Sequence, residues 1–349
     1  MKNYHLILMI VLSVFLIGCD EGAGYGSGIR PDGPSYVPKD CVFQTIGLKD
    51  SSADSESEDR FQSFLYTGYA PLKDKPVKVC YYIPETGNVK EMPVLFTFTG
   101  AERTGNTQLN AWKNLADAYG FVVINPQFVD KKIWKENDYQ FGGVVDSEGN
   151  VVDRSLWTFN VVESLFDYWL HEVDGTQTGY RMFGHSAGGQ FVGRMMMAMP
   201  EARVIRAVAA NPSSWAWPVE LRDSDGASYG WPYTISGLPG ADRDGYLADV
   251  FSKKLYVQIG QNDTDTESLD MSAAANLQGE RRYPRAKNFY QACVDKAEAD
   301  GLDCAFRLAE VEGVGHSTWH MVYGYYKPTP ANIKEEQLGP DSAYLLLFK

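Results

Sequence analysis

The chain has 349 residues, 44% of them hydrophobic, and a formal net charge of -13 at pH 7. That length and apolar share can build one large core, which excludes a chain too polar to fold. The acidic balance argues against a nucleic-acid partner, since phosphate contacts need a Lys/Arg surface, and it suits an uncharged substrate better than a polyanion.

At the N-terminus, Met1-Lys2-Asn3 carries positive charge and His5 to Ile17 is an apolar run too short to span a bilayer. Residues 1–18 therefore read as a signal peptide. Leu16-Ile17-Gly18-Cys19 resembles a bacterial lipobox, which implies cleavage before Cys19 and a lipid on that residue. The expected address is export with a lipid anchor in a bacterial membrane, on the periplasmic or the cell-surface side. Residues 20–40 contain five Gly and three Pro with few apolar side chains, so 19–40 reads as a lipidated flexible tether. The remainder, 41–349, reads as one α/β domain.

Within it, a first strand is expected near 42–48, followed by an exposed polar loop over 50–59. Patterning then predicts strands at 76–83 and 93–100, a helix at 108–119 and a strand at 121–125. A polar loop over 101–106 is expected between the second of these strands and that helix. Next come a helix at 157–170, a strand at 179–184, a helix at 187–199 and a strand at 203–209. An aromatic, Gly-rich insertion fills about 211–250. A strand at 255–260, a helix at 283–300, a strand at 305–311 and a helix from about 317 complete the pattern. Strands alternating with helices imply a mostly parallel sheet covered on both faces. The apolar segment Tyr344 to Phe348 has no assigned place.

Three sites in this pattern carry chemistry. Gly184-His185-Ser186-Ala187-Gly188 is a G-x-S-x-G motif at a strand-to-helix junction. Such a turn pushes a serine Oγ out of the sheet and aims the helix N-terminus at any negative charge forming beside it. Just past the strand at 255–260 stands Gln261-Asn262-Asp263-Thr264-Asp265, where a triad acid belongs; Asp263 is the first choice and Asp265 the second. Past the last strand comes Glu312-Gly313-Val314-Gly315-His316, a loop able to bring His316 to Ser186 as a general base. The oxyanion hole would take the N–H of Ala187 and one from the exit of the strand at 93–100, with Gly100 and Ala101 as candidates beside Thr99. Trp215 and Trp217 follow a strand end and are expected to line an acyl or alcohol pocket.

Competing readings of the same residues are weaker. Asp263, Asp265 and Glu267 resemble the start of a calcium loop, but Ser268 stands where Gly is needed and Ala274 where Glu is needed. His316 and His320 have zinc-like spacing without the Glu of H-E-x-x-H, Ser317 standing there instead. No metal and no cofactor is expected. His171 is expected to end a helix, and His185 to pack beside the elbow instead of acting as base. Once Cys19 is set aside, four cysteines remain, an even number that suggests disulfides in an exported chain. The favoured pairings are Cys293 with Cys304 and Cys41 with Cys80.

Taken together, Gly184 to Gln190, Gly260 to Asp265 and Val311 to Ser317 resemble the α/β-hydrolase superfamily, in the esterase type related to polyhydroxybutyrate depolymerases and to feruloyl and acetylxylan esterases. Between them, Gln278-Gly279-Glu280-Arg281-Arg282-Tyr283-Pro284-Arg285 resembles a Q-G-x-x-R-x-x-R stretch of such bacterial hydrolases. The resemblance spans roughly residues 75 to 325. It implies the α/β-hydrolase fold, a Ser186–His316–Asp263 triad and hydrolysis of carboxylic esters as a class, without fixing the substrate, for which an acylated glycan and a polyester are candidates. A peptidase or acyltransferase on the same triad, or a glycan- or protein-binding lipoprotein without chemistry, are the alternatives.

Overall fold

The structure, a computed structural model, describes residues 61–103, 107–325 and 334–349. The expected leader, Cys19, the tether, Cys41 and the strand near 42–48 lie outside the described residues.

The strands are β1 (Gln62–Tyr66), β2 (Val77–Tyr82), β3 (Val94–Phe98), β4 (Val122–Gln127), β5 (Tyr180–His185), β6 (Val204–Ala210), β7 (Leu221–Arg222), β8 (Ser228–Tyr229), β9 (Leu255–Gly260) and β10 (Arg307–Val311). The helices are α1 (Thr107–Tyr119), α2 (Glu136–Tyr139), α3 (Phe159–Val173), α4 (Ala187–Ala198), α5 (Tyr246–Phe251), α6 (Ala273–Gln278), α7 (Arg282–Ala299), α8 (Thr318–Tyr323) and α9 (Ala343–Phe348). No described helix is long and apolar enough to cross a membrane.

Eight strands form one sheet in the order β1-β2-β4-β3-β5-β6-β9-β10. The pairs β1–β2 and β2–β4 are antiparallel, and every pair from β4 to β10 is parallel. The chain runs from β3 outward to β4 and then returns to place β5 on the other side of β3. That reversal opens a crevice at the carboxyl ends of β3 and β5, where open α/β sheets bind ligands. The two-residue strands β7 and β8 pair within the insertion, away from the main sheet.

Alternation along the central strands sorts the core into two layers. Met182 of β5 and Ala207 and Ala209 of β6 face one cluster, which takes in Val162 and Phe166 of α3, Phe191 and Met195 of α4 and Phe289 of α7. Phe183, Val208 and Ala210 face the other, with Trp112 of α1, Met321 of α8 and Leu347 of α9. The chain is thus an α/β-hydrolase fold with helices on both faces. The C-terminal segment that had no place in the pattern is α9, packed against β5 and β6. Arg181 and Arg206 anchor it by donating to the Leu347 and Leu346 carbonyls at 2.9 and 3.0 Å.

The expected Cys293–Cys304 pairing does not form, and that of Cys80 with Cys41 falls on a residue outside those described. Cys80, Cys293 and Cys304 are free thiols. Cys80 lies inside β2 beneath the helical layer, and Cys293 faces the core from α7 with Cys304 packed on the same cluster. They fill space as small apolar groups. Burial pushes the Cys293 thiol well up from its ordinary value, and the neighbouring Cys304 adds to the shift.

Candidate active site

The junction of β5 and α4 is strained. Ser186 has φ 57° and ψ -118°, in the left-handed half of backbone space that costs a non-glycine residue energy. Its N–H donates to the Ala210 carbonyl at 2.9 Å, which holds the turn on the neighbouring strand. The flanking glycines have a steric reason. A Cβ at Gly184 would meet the Gly188 carbonyl oxygen at 2.1 Å, and one at Gly188 would meet the Phe98 oxygen at 2.2 Å. Only bare backbone lets β3, β5 and α4 come this close. All twelve residues of α4 are buried, so the turn rests on a helix that is itself the centre of the core.

The acid and the base arrive on loops that are joined to each other. Asn262 N–H donates to the Val314 carbonyl at 2.8 Å, and Gln261 N–H to Val311 at 3.1 Å. A Cβ on Gly260 would meet the Val314 oxygen at 2.4 Å, so that glycine lets the β9 exit and the His316 loop touch. His316 Nδ1 then lies 2.7 Å from Asp263 Oδ2, and the Asp263 side chain is fully buried. Asp265 does not reach His316. It is exposed, and its Oδ1 accepts the Glu267 N–H at 2.8 Å. The two aspartates that the sequence left in competition are thus separated by burial and by distance to the imidazole.

Arg282 stands behind the acid. Its guanidinium is fully buried 3.5 Å from Asp263 Oδ1, and it donates to the carbonyls of Asp265 and Glu267. Arg285 donates to the Ser213 and Asp270 carbonyls, and Gln278 clasps both backbone groups of Trp215. The Q-G-x-x-R-x-x-R stretch is therefore a brace for the loops under the site. Its second arginine charge was visible in sequence; its target was not.

On the other flank, Gly100 abuts the serine: a Cβ there would lie 3.6 Å from Ser186 Cβ. The β3 exit is held by remote side chains. Tyr139 Oη donates to the Thr99 carbonyl at 2.6 Å and Gln108 Nε2 to the Phe98 carbonyl at 3.1 Å. Arg103 is buried, with φ 59°, and donates to the Trp134 carbonyl. The expected polar loop over 101–106 therefore turns inward at Arg103, because the cation sits over the Tyr139 ring, 5.1 Å from its centroid.

A cavity of about 290 Å³ joins these flanks, lined by Thr99, Gly100, Ala101, His185, Ser186 and His316, with Glu102, Asp265 and Glu267 among its rim residues. Ala187 is buried at the first position of α4, beneath it. The tryptophans are elsewhere. Trp215 is 1% exposed and stacked on Phe289 of α7 at 4.4 Å, beneath α4. Trp217 packs on the core edge while its backbone pairs with Tyr233 and Ile235. Neither is among the residues that line the cavity; for Trp215, burying its ring area under α4 outweighs leaving it over an open cleft.

His185 was expected to pack beside the elbow, and its ring lies 4.6 Å from that of His316. Burial pushes its pKa well below the usual 6.5, and nearby His316 and Arg282 push the same way. Asn211, which sequence reasoning passed over, sits between these groups; a lone Asn after a strand carries no motif. Among the described residues no group of three or more His, Cys, Asp or Glu could hold a metal ion.

No family model matches the sequence, and no curated protein matches it. Solved structures do. Poly(aspartic acid) hydrolase-1 from Sphingomonas sp. KT-1 is 31% identical, with a TM-score of 0.66, covering 74% of this chain and 93% of that one. The chain belongs to the α/β-hydrolase superfamily. A poly(3-hydroxybutyrate) depolymerase from Bordetella parapertussis is similarly placed beside this α/β-hydrolase, at 28% identity and a TM-score of 0.67, covering 82% of this chain and 93% of that one. In this α/β-hydrolase the crevice of the sheet, the strained serine and the paired imidazole and carboxylate converge on one cavity.

Proposed function

We propose that this protein is a serine esterase in which Ser186, His316 and Asp263 act as nucleophile, base and orienting acid. The observation that carries the reading is the 2.7 Å contact of His316 Nδ1 with buried Asp263, in a loop that also borders the cavity of the strained Ser186. With Nδ1 engaged, Nε2 is the free nitrogen to take the Ser186 proton as Oγ bonds to the ester carbonyl carbon. The same proton then goes to the departing alcohol as the C–O bond breaks. Water attacks the acyl-serine by the reverse roles and releases the acid. Ala187 N–H at the start of α4 and an N–H from Gly100 or Ala101 would hold the oxyanion.

The substrate class follows the rim. Glu102, Asp265 and Glu267 are among the lining residues, and no Lys or Arg is among the described ones. This favours uncharged esters, an acylated glycan or a polyester segment, over polyanions. The relative named for poly(aspartic acid) makes hydrolysis of other acyl bonds the second reading. The lipobox-like Leu16 to Cys19 adds an exported, lipid-anchored location to the proposal. The test is turnover of p-nitrophenyl esters of graded acyl length, beside Ser186→Ala and a succinyl ester. Turnover of neutral esters that is lost in Ser186→Ala is the expected result. Undiminished turnover in Ser186→Ala would overturn the nucleophile, and preference for the anionic ester would overturn the substrate class.

A further inference from the structure

Asn211 is the residue after β6, fully buried, with φ 50°. Its backbone N–H extends the β6–β9 ladder by donating to the Gln258 carbonyl at 3.0 Å. Its side chain reaches three separate segments. Oδ1 accepts the Gly260 N–H at 2.9 Å, three residues before Asp263. Nδ2 donates to the Gly315 carbonyl at 3.2 Å, one residue before His316. Nδ2 also lies 3.4 Å from Nε2 of His185, one residue before Ser186. We infer that Asn211 is a positioning residue, whose single amide registers the acid loop, the base loop and the serine turn against one another.

This inference rests on the serine esterase reading, and adds to it a group outside the triad. The chemistry demands this residue type. An amide supplies one acceptor and two donors on one rigid plane. Aspartate has the shape but no donor, and would face the Gly315 carbonyl oxygen with negative charge. A left-handed φ is tolerated by Asn and Gly and by few others. His185 is the matching partner: held neutral by burial, its Nε2 can accept. Complete burial means that water does not replace a lost bond, so each segment would shift when the amide goes.

Three full-length proteins test this: wild type, Asn211→Gly and Asn211→Asp, with Ser186→Ala as reference. Asn211→Gly keeps the backbone unstrained while deleting the amide. Both variants should lose about 10- to 100-fold in kcat on a neutral p-nitrophenyl ester with KM changed less than about threefold, as expected of a small misplacement of reacting groups. The downfield proton resonance of the Asp263–His316 hydrogen bond should be sharp in wild type and broadened or lost in folded Asn211→Gly. A folded Asn211→Gly with kcat within about twofold of wild type, or with that resonance intact, overturns the inference. If neither variant folds, hydrogen exchange of the Gly260 amide in wild type decides: protection like that of the neighbouring strand supports the tether, and exchange at loop rates overturns it. Should Ser186→Ala turn over as fast as wild type, the esterase reading fails instead, and the Gly260 exchange still reports on the tether.

Discussion

Two loop systems flank Ser186, and they are held by different means. The exits of β9 and β10 are stitched main chain to main chain, by Gln261 to Val311 at 3.1 Å and Asn262 to Val314 at 2.8 Å, with Asn211 and Arg282 filling in behind. The exit of β3 is braced by side chains: Tyr139 from forty residues on, Gln108 from α1, and Arg103 of the exit loop itself, which reaches the Trp134 carbonyl. Main-chain stitching tolerates most substitutions, because every residue except Pro carries the same donor and acceptor. Side-chain bracing concentrates the same work in a few residues. Sensitivity on the stitched side should therefore sit at the chemical groups and at the one amide, Asn211, that ties the loops together, and on the braced side at residues that never touch substrate.

The largest expected effect sharpens the stitched side. Asp263→Asn should lower kcat by about 10⁴-fold, because the wrong imidazole tautomer is then held, while Asp265→Asn stays within a few-fold. Equal losses in the two variants would break the separation of the two carboxylates. Steady-state kinetics on one neutral ester suffices.

A smaller effect probes the braced side. Tyr139→Phe removes the 2.6 Å bond to the Thr99 carbonyl and leaves that oxygen without its donor. A loss of about 1–3 kcal/mol follows, divided between unfolding free energy and the activation barrier. Urea unfolding and kcat measured together check it, and no change in either would mean that the β3 exit needs no brace.

The smallest effect concerns His185, against the base loop. Its pKa is depressed well below 6.5 in the fold by burial first, then by His316 and Arg282. Below that pH the unfolded chain binds a proton that the folded chain refuses, so stability present above pH 6.5 is lost as the pH falls. The contribution to the slope is at most about 1.4 kcal/mol per pH unit. His185→Gln should flatten urea midpoints between about pH 6.5 and pH 5. An unchanged slope would mean that His185 accepts its proton in the folded state. His320, also shifted down by burial, contributes to whatever slope remains.

Most of the parallel sheet was legible in the sequence. The strands β3, β5, β6, β9 and β10 fall within a few residues of their expected bounds, because apolar runs bounded by Gly, Pro or polar clusters leave few other structures. Strand β1 was missed: Gln62 to Tyr66 alternates between half-buried and exposed positions at the sheet edge, with only Tyr66 buried, too short a signal beside a polar loop. The six-residue α9 was missed for a related reason, since a helix that short shows its partner only after folding. Trp215 and Trp217 misled because an aromatic residue after a strand end is compatible with a cleft or with a core, and local sequence does not tell which side α7 will cover. The Cys293–Cys304 pairing misled similarly: an even number of cysteines sets no distance between sulfurs.

The sequence by itself determined the class of chemistry to look for. Gly184, Ser186 and Gly188 form a local steric device, legible because the turn is completed within five residues. Candidate acid and base were legible as polar residues at strand exits. Only the tertiary structure buried Asp263 against His316 while leaving Asp265 exposed, set Arg282 behind Asp263 and brought Asn211 between three segments far apart along the chain. The physical reason is that burial and hydrogen-bond partnership are properties of packed space. Two aspartates two residues apart look alike along the chain, and differ only once β9 and β10 lie side by side and one carboxylate is sealed against an imidazole.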